Sequence, residues 1–201
     1  MSWDASTRYG CAVADGGLAL VQDLLNTIPA GRPRRPDLLA DLASAQGWSD
    51  VALTDWAGVT GRPAPRVELD ERGLDELRAL RADLRSVVGA GPEHSADLPV
   101  ADLRTAAVGL ALRADGTVTL EPRGQGWRAL AGLVLTEVLE AQRADSWRRL
   151  KTCRNERCAT AFYDRSRNNS GAWHDVRVCG NAVNLRASRA RRRAAAAAGD
   201  R

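Results

Sequence analysis

Four residues in the last quarter of the chain have the types and the spacing to hold a metal ion: Cys153-x4-Cys158-x15-His174-x4-Cys179. Thiolate and imidazole are ligands that Zn²⁺ prefers, and a Cys₃His set closes a tetrahedral structural site. Two close ligand pairs on either side of a hairpin-length stretch can grip one ion between them. The chain has only four cysteines and two histidines. Three of the cysteines and one of the histidines fall in this pattern. The expectation is one structural zinc. A catalytic zinc usually keeps an open position beside three protein ligands, whereas four ligands are available here.

The elements that must position these ligands read as a small finger. Cys153-Arg154-Asn155-Glu156-Arg157-Cys158 forms a knuckle, and Phe162-Tyr163 lies on the strand that follows. Asn168-Asn169-Ser170-Gly171 is a turn cluster that returns the chain to Trp173-His174. Cys179 then opens a helical run from Asn181 to Ala198, broken by Gly199. Knuckle, hairpin and ligand-bearing helix together predict a treble-clef arrangement. A unit this short buries little apolar area, so metal binding supplies its folding free energy.

The same residues carry a family resemblance. Leu150-Lys151-Thr152-Cys153, Phe162-Tyr163-Asp164-Arg165-Ser166-Arg167-Asn168, Trp173 and Cys179-Gly180-Asn181 resemble the CGNR-type zinc finger. That resemblance implies a transcription regulator with an N-terminal domain called ABATE. Leu18-Ala19-Leu20 through Asn26-Thr27 is similar to the opening of that domain. The finger resemblance covers about 50 residues and the N-terminal one about 140. The chain departs from the pattern twice. His174 stands where most members carry a cysteine, a swap that zinc tolerates. Ala182 stands where the name-giving arginine would be.

Charge divides the chain at the same place. Residues 151–201 hold 12 basic against 4 acidic residues, and residues 1–150 hold 17 against 21. An acidic body joined to a basic, metal-stapled tail implies a polyanionic partner, with double-stranded DNA foremost. Arginine enrichment from a GC-rich genome would act on both halves alike, so it does not explain the asymmetry. On the final helix Arg186, Arg189 and Arg193 share one face, and Arg191 and Arg192 broaden it. Ala182 belongs to that face and shortens its stripe by one charge. Arg165 and Arg167 on the hairpin, with Tyr163 and Asn168, are further candidates for nucleic-acid contact. Asp164 is as well suited to bracing a neighbouring arginine.

Residues 1–150 suffice for one compact domain with its own core. Leu18, Val21, Leu25 and Ile28 follow helical spacing, as do Leu74, Leu77, Leu84 and Val88. Pro36-Asp37 predicts the start of a short helix that Gly47 stops, and Ser49 the cap of another reaching Trp56. Alternation between Leu110 and Leu120 around Asp115-Gly116 predicts a hairpin. Gly126 to Leu150 reads as one long helix feeding into the finger, with Leu130, Val134 and Val138 inward. Ala30 to Arg35 and Gly89 to Ser95 read as loops. Asn26-Thr27 fits a turn cap better than a ligand contact, and His94 reads as exposed and inert. The six tryptophans fit packing better than a base-stacking platform.

The fold expected is α+β, with a mostly helical domain 1–150 and a finger 151–201. The function expected is a zinc-dependent DNA-binding regulator, not an enzyme. An RNA-binding or protein-interaction module built on the same finger is the alternative. A zinc hydrolase using Glu156 or Asp175 as base is disfavoured by the fourth ligand. One small finger recognises DNA weakly, so a homodimer would help. No residue in the sequence supports a small-molecule effector of the N-terminal domain. Met1-Ser2-Trp3-Asp4 lacks the pattern of a secretory signal, and no window approaches a membrane span. With Cys11 lacking a local partner, a reducing, cytoplasmic setting is expected.

Overall fold

The computed structural model describes residues 2–31, 34–94 and 104–199, with backbone alone for 90–94 and 194–199. About half of the chain is helical. The order is α1 (Asp4–Thr7), α2 (Leu18–Leu25), α3 (Leu42–Thr60), α4 (Glu71–His94), β1 (Val108–Leu112), β2 (Val118–Pro122), α5 (Trp127–Arg143), β3 (Leu150–Thr152), β4 (Ala161–Tyr163) and α6 (Asn181–Gly199). Both strand pairs are antiparallel, β1 with β2 and β3 with β4.

Helix α2 is central because every one of its residues is buried, Gln22 and Asp23 included. It packs against α1, α3, α4, α5 and β4. A helix that is buried around its whole circumference has to be wrapped by others. The wrapping comes from Trp48, Ala52 and Trp56 of α3, Leu74, Leu77, Leu80 and Leu84 of α4, and Leu130, Leu133 and Val134 of α5. Leu150, Ala161 and Tyr163 belong to the same buried cluster.

Polar groups inside this core are paired. Asp23 accepts from the Ser6 amide at 2.8 Å and from Trp48 Nε1 at 3.0 Å. Glu137 accepts from Trp56 Nε1 at 3.1 Å and pairs with Arg62 at 3.1 Å. Arg62 in turn stacks over the Trp56 ring at 4.6 Å. A Cβ at Gly17 would stand 1.8 Å from Glu137 Oε2, so only glycine lets this carboxylate close on the start of α2.

Several expected boundaries move. Helix α2 ends at Leu25, and Ile28 lies in the turn that follows. Pro36-Asp37 starts no helix: the Asp37 carboxylate accepts from the Leu39 amide and pairs with Arg81. The helix begins at Leu42, with Asp41 accepting from the Ser44 amide, and runs unbroken through Gly47 and Ser49 to Thr60. Gly47 meets nothing within 4 Å, and a single interior glycine costs only about 1 kcal/mol. Burial of Trp48, Ala52 and Trp56 overrides it. The real stop is Gly61 in a left-handed conformation, φ 66°.

Likewise α4 continues through Gly89 to His94, across most of the expected loop, because it packs along β3. Gly89 lies beside Thr152. Helix α5 stops at Arg143, and a 3₁₀ turn, Trp147–Arg149, intervenes before the finger. Asp145 at φ 55° makes the break.

The β1–β2 hairpin forms as expected, with Leu112 opposite Val118 and Gly116 at φ 83° in the turn. The leucines of β1 are exposed, Leu110 at 74% and Leu112 at 76%, while Leu120 of β2 is half-buried.

Candidate metal centre

The four candidate ligands converge. Cys153, Cys158, His174 and Cys179 place their ligand atoms within 4.8 Å of one another, and all but His174 are buried. His174 turns Nδ1 toward the sulfurs, 3.3 Å from Cys158 Sγ and 3.6 Å from Cys179 Sγ. Sulfurs about 2.3 Å from a tetrahedral zinc stand about 3.8 Å apart, so the donors suit an ion of that size.

Local structure explains each position. The short ladder β3–β4 sets Leu150 opposite Tyr163 and delivers Cys153 at its end, where the Cys153 amide donates to the Thr160 carbonyl at 2.9 Å. The knuckle turns back at Asn155, whose carbonyl accepts from the Cys158 amide at 2.7 Å, and Ala159 takes φ 56°. The loop 164–171 is clamped by Asp164. Its carboxylate accepts from Lys151 Nζ at 2.6 Å, the Ser166 amide at 2.9 Å and the Gly171 amide at 2.6 Å. A Cβ at Gly171 would lie 2.8 Å from that carboxylate, which excludes side chains there. The brace is therefore to the chain's single lysine, not to an arginine.

Cys179 sits in a π-helical turn, Val176–Gly180, capped by the Asp175 carboxylate on the Val178 amide. The turn precedes α6, so the helical run starts earlier than expected and closes with Gly199 inside it. Gly180 lies against the Trp173 ring, 3.2 Å from where a Cβ would stand. The Cys-Gly-Asn sequence thus has a packing reason for its glycine.

The ligands have supporting partners. Asn155 Nδ2 donates to Cys179 Sγ at 3.3 Å, and Cys158 Sγ lies 3.0 Å from Thr160 Oγ1. Arg186 Nη2 donates to Asn155 Oδ1 at 2.8 Å, so α6 reaches the metal centre through one amide. Such outer contacts orient ligands and tune the centre.

Without a cation the sulfurs share protons. Hydrogen bonding from Cys153, and then from His174 and Thr160, holds Cys158 low against the opposing effect of burial. Cys153 moves up as the proton-bearing partner of that bond and through burial, and burial raises Cys179 as well. Bringing all three to thiolate requires a compensating charge, which a divalent ion provides.

Residues 149–192 match the CGNR zinc finger family model. No curated protein matches the chain. Family match and ligand geometry agree on one structural zinc, and the fold around it is treble-clef in shape.

The arginines separate into two groups. Arg189, Arg191, Arg192 and Arg193 are exposed on α6, and Arg167 is exposed on the hairpin loop. Arg186 is half-buried on Asn155. Arg165 stacks on Tyr163 and binds the Asp15 carboxylate and the Val13 carbonyl, both at 2.8 Å. Ala182 lines a cleft beside the metal centre. The arginine face expected to run from 182 to 193 therefore points into the molecule at its start and outward at its end.

Finger and body are latched together. Asn26 donates to the Ala161 carbonyl and accepts from the Ala161 amide, both at 2.8 Å, pairing with β4 as a neighbouring strand would. Arg85 bridges the Leu25 carbonyl at 3.0 Å and the Ala159 carbonyl at 2.7 Å. Cys11 packs with Cys153, Cys158, Cys179 and Phe162. Asn26, Arg85, Asn155 and Cys11 were not readable as parts of the site.

Proposed function

We propose that this chain is a zinc-dependent DNA-binding regulator of transcription. The observation that carries the reading is the exposed cluster Arg189, Arg191, Arg192 and Arg193, held on a helix whose second turn is tied to the metal centre through Arg186 and Asn155. None of these four arginines has a carboxylate partner among the described residues. A 19-residue helix spans about 28 Å and fits a major groove. In this reading zinc fixes the helix and the unpaired guanidiniums neutralise phosphates. The body, resembling ABATE, senses a signal or dimerises. The four-ligand centre leaves no open position for a substrate, so the protein is read as a binder and not an enzyme.

A protein-interaction role is the second reading, favoured by the outward apolar face of the hairpin: Val108, Leu110, Leu112 and Val118. One comparison separates the two. Arg189, Arg192 and Arg193 replaced by alanine should keep zinc but weaken duplex DNA binding, with the salt slope falling by about 0.9 per lost phosphate contact. Structured RNA measured in parallel tests the remaining alternative. Undiminished DNA binding at equal salt would discard the helix as the contact element.

A further inference from the structure

A cleft of about 250 Å³ opens where the body meets the finger. Arg8, Tyr9 and Arg35 line it from the body, and Arg157, His174 and Ala182 from the finger. Arg8 is fixed in place: it donates to the carbonyls of Asn26 at 2.8 Å, Ile28 at 2.9 Å and Pro36 at 3.0 Å, and stacks over Tyr9 at 4.8 Å. Carbonyls hold the group without neutralising it. Arg35 and Arg157 are exposed, and no carboxylate lies within ion-pair distance of any of the three among the described residues.

His174 adds a directed donor. Its Nδ1 is committed to the sulfur cluster, so with zinc bound there Nε2 carries the proton. Metal-bound histidines usually donate that proton to a carboxylate, a carbonyl or water. Here Nε2 has no acceptor among the described residues and is not buried. The wall also contains Asp175, whose carboxylate is engaged by the Val178 amide. Three guanidiniums outweigh that carboxylate and the single net negative charge of a zinc–trithiolate centre together.

We propose that this cleft is a phosphate-binding site, with Arg35 and Arg157 closing on the anion from opposite sides and His174 Nε2 donating to it. Phosphate suits the cationic wall and presents several acceptor oxygens at once. The volume admits a phosphate and a small attached group and falls below the usual size of a drug-like ligand site. Ala182 keeps the space open, since any longer side chain there would enter it. The phosphate could belong to a free ester or to a nucleic-acid backbone passing the base of α6. The site stands on the cleft's own donors and does not depend on the proposed function.

Calorimetric titration of the zinc-loaded full chain with inorganic phosphate tests the site, with chloride at matched ionic strength as control. One saturable site is expected. Arg35→Ala with Arg157→Ala should weaken it by at least about tenfold, the factor for one lost charge-assisted hydrogen bond. His174→Cys, which keeps a ligand but removes the Nε2 donor and adds one negative charge to the centre, should weaken it further. Ala182→Leu should block it without altering any charge. Repeating the titration on protein saturated with duplex DNA distinguishes the sources. Loss of the phosphate site then assigns it to the nucleic-acid backbone, and its persistence to a free ester. Absence of saturable phosphate binding, or binding undiminished in the arginine pair and in Ala182→Leu, would overturn the assignment. Direct DNA affinity of the parent protein judges the proposed function separately.

Discussion

The body and the finger solve the same stability problem by different means. The body buries leucines by the dozen around α2 and pairs its few interior polar groups. The finger has a small cluster, Phe162 and Trp173 with the cysteines, gathered round a metal-ligand set, and a unit with so little apolar area is expected to draw its folding free energy from the ion. The comparison would be simple if the two were independent, but β3 and β4 contribute Leu150, Ala161 and Tyr163 to the body's core. What differs is the source of free energy, not the location of a seam. A metal-dependent unit with a strand set into an apolar core makes part of that core conditional on zinc.

The largest effect that would break or confirm this contrast is metal removal. Structural zinc in finger peptides contributes on the order of 10–16 kcal/mol. Cys179→Ala should abolish zinc retention and remove hydrogen-exchange protection across 150–180, while α3 and the buried stretch of α5 keep theirs. If the whole chain lost protection together, body and finger would be one cooperative unit. Next in size is the body's own core. Leu77→Ala, at a fully buried position, should cost about 2–5 kcal/mol in urea unfolding with zinc content unchanged.

The latch comes third. Asn26→Ala would leave the buried Ala161 amide without its partner and the carbonyl with only the long 3.5 Å contact from Gln22 Nε2, a loss of about 1–3 kcal/mol for the unpaired amide. Retained zinc with lower cooperativity of unfolding would locate the coupling in that one side chain. The smallest effect expected is with pH. Burial opposes the charge on Asp164, but Lys151, Ser166 and Gly171 together hold its carboxyl well below the ordinary carboxylate range. A depressed carboxyl stabilises the fold above its unfolded pKa, and that contribution fades as pH falls through the folded value. Between about pH 5 and pH 3 the parent should therefore lose more stability than Asp164→Asn.

The metal centre was legible because ligand chemistry is a local matter of residue type and spacing. Four donors announced themselves without any structural input, and the hairpin at Asp115-Gly116 did so for the same reason. Helix ends were less legible. Gly47 and Gly89 are weak breakers that packing overrides, while Asp145 ends α5 with no glycine or proline to mark it. Least legible were contacts joining distant segments. Arg186 reads as one more surface charge until Asn155 is seen beneath it. Arg165, expected on nucleic acid, is spent on Asp15.

The Asn26 latch has a consequence for the order of events during synthesis. Helix α2 leaves the ribosome 135 residues ahead of the strand segment it pairs with. At about 5–20 residues per second, that delay lasts roughly 7–27 s. Throughout it the amide of Asn26 has no backbone to grip, and the core lacks Leu150, Ala161 and Tyr163. The helices can gather earlier, but their last layer arrives with the finger. If the finger folds only on zinc, a chain that captures the ion completes its interior and one that does not keeps that last layer open.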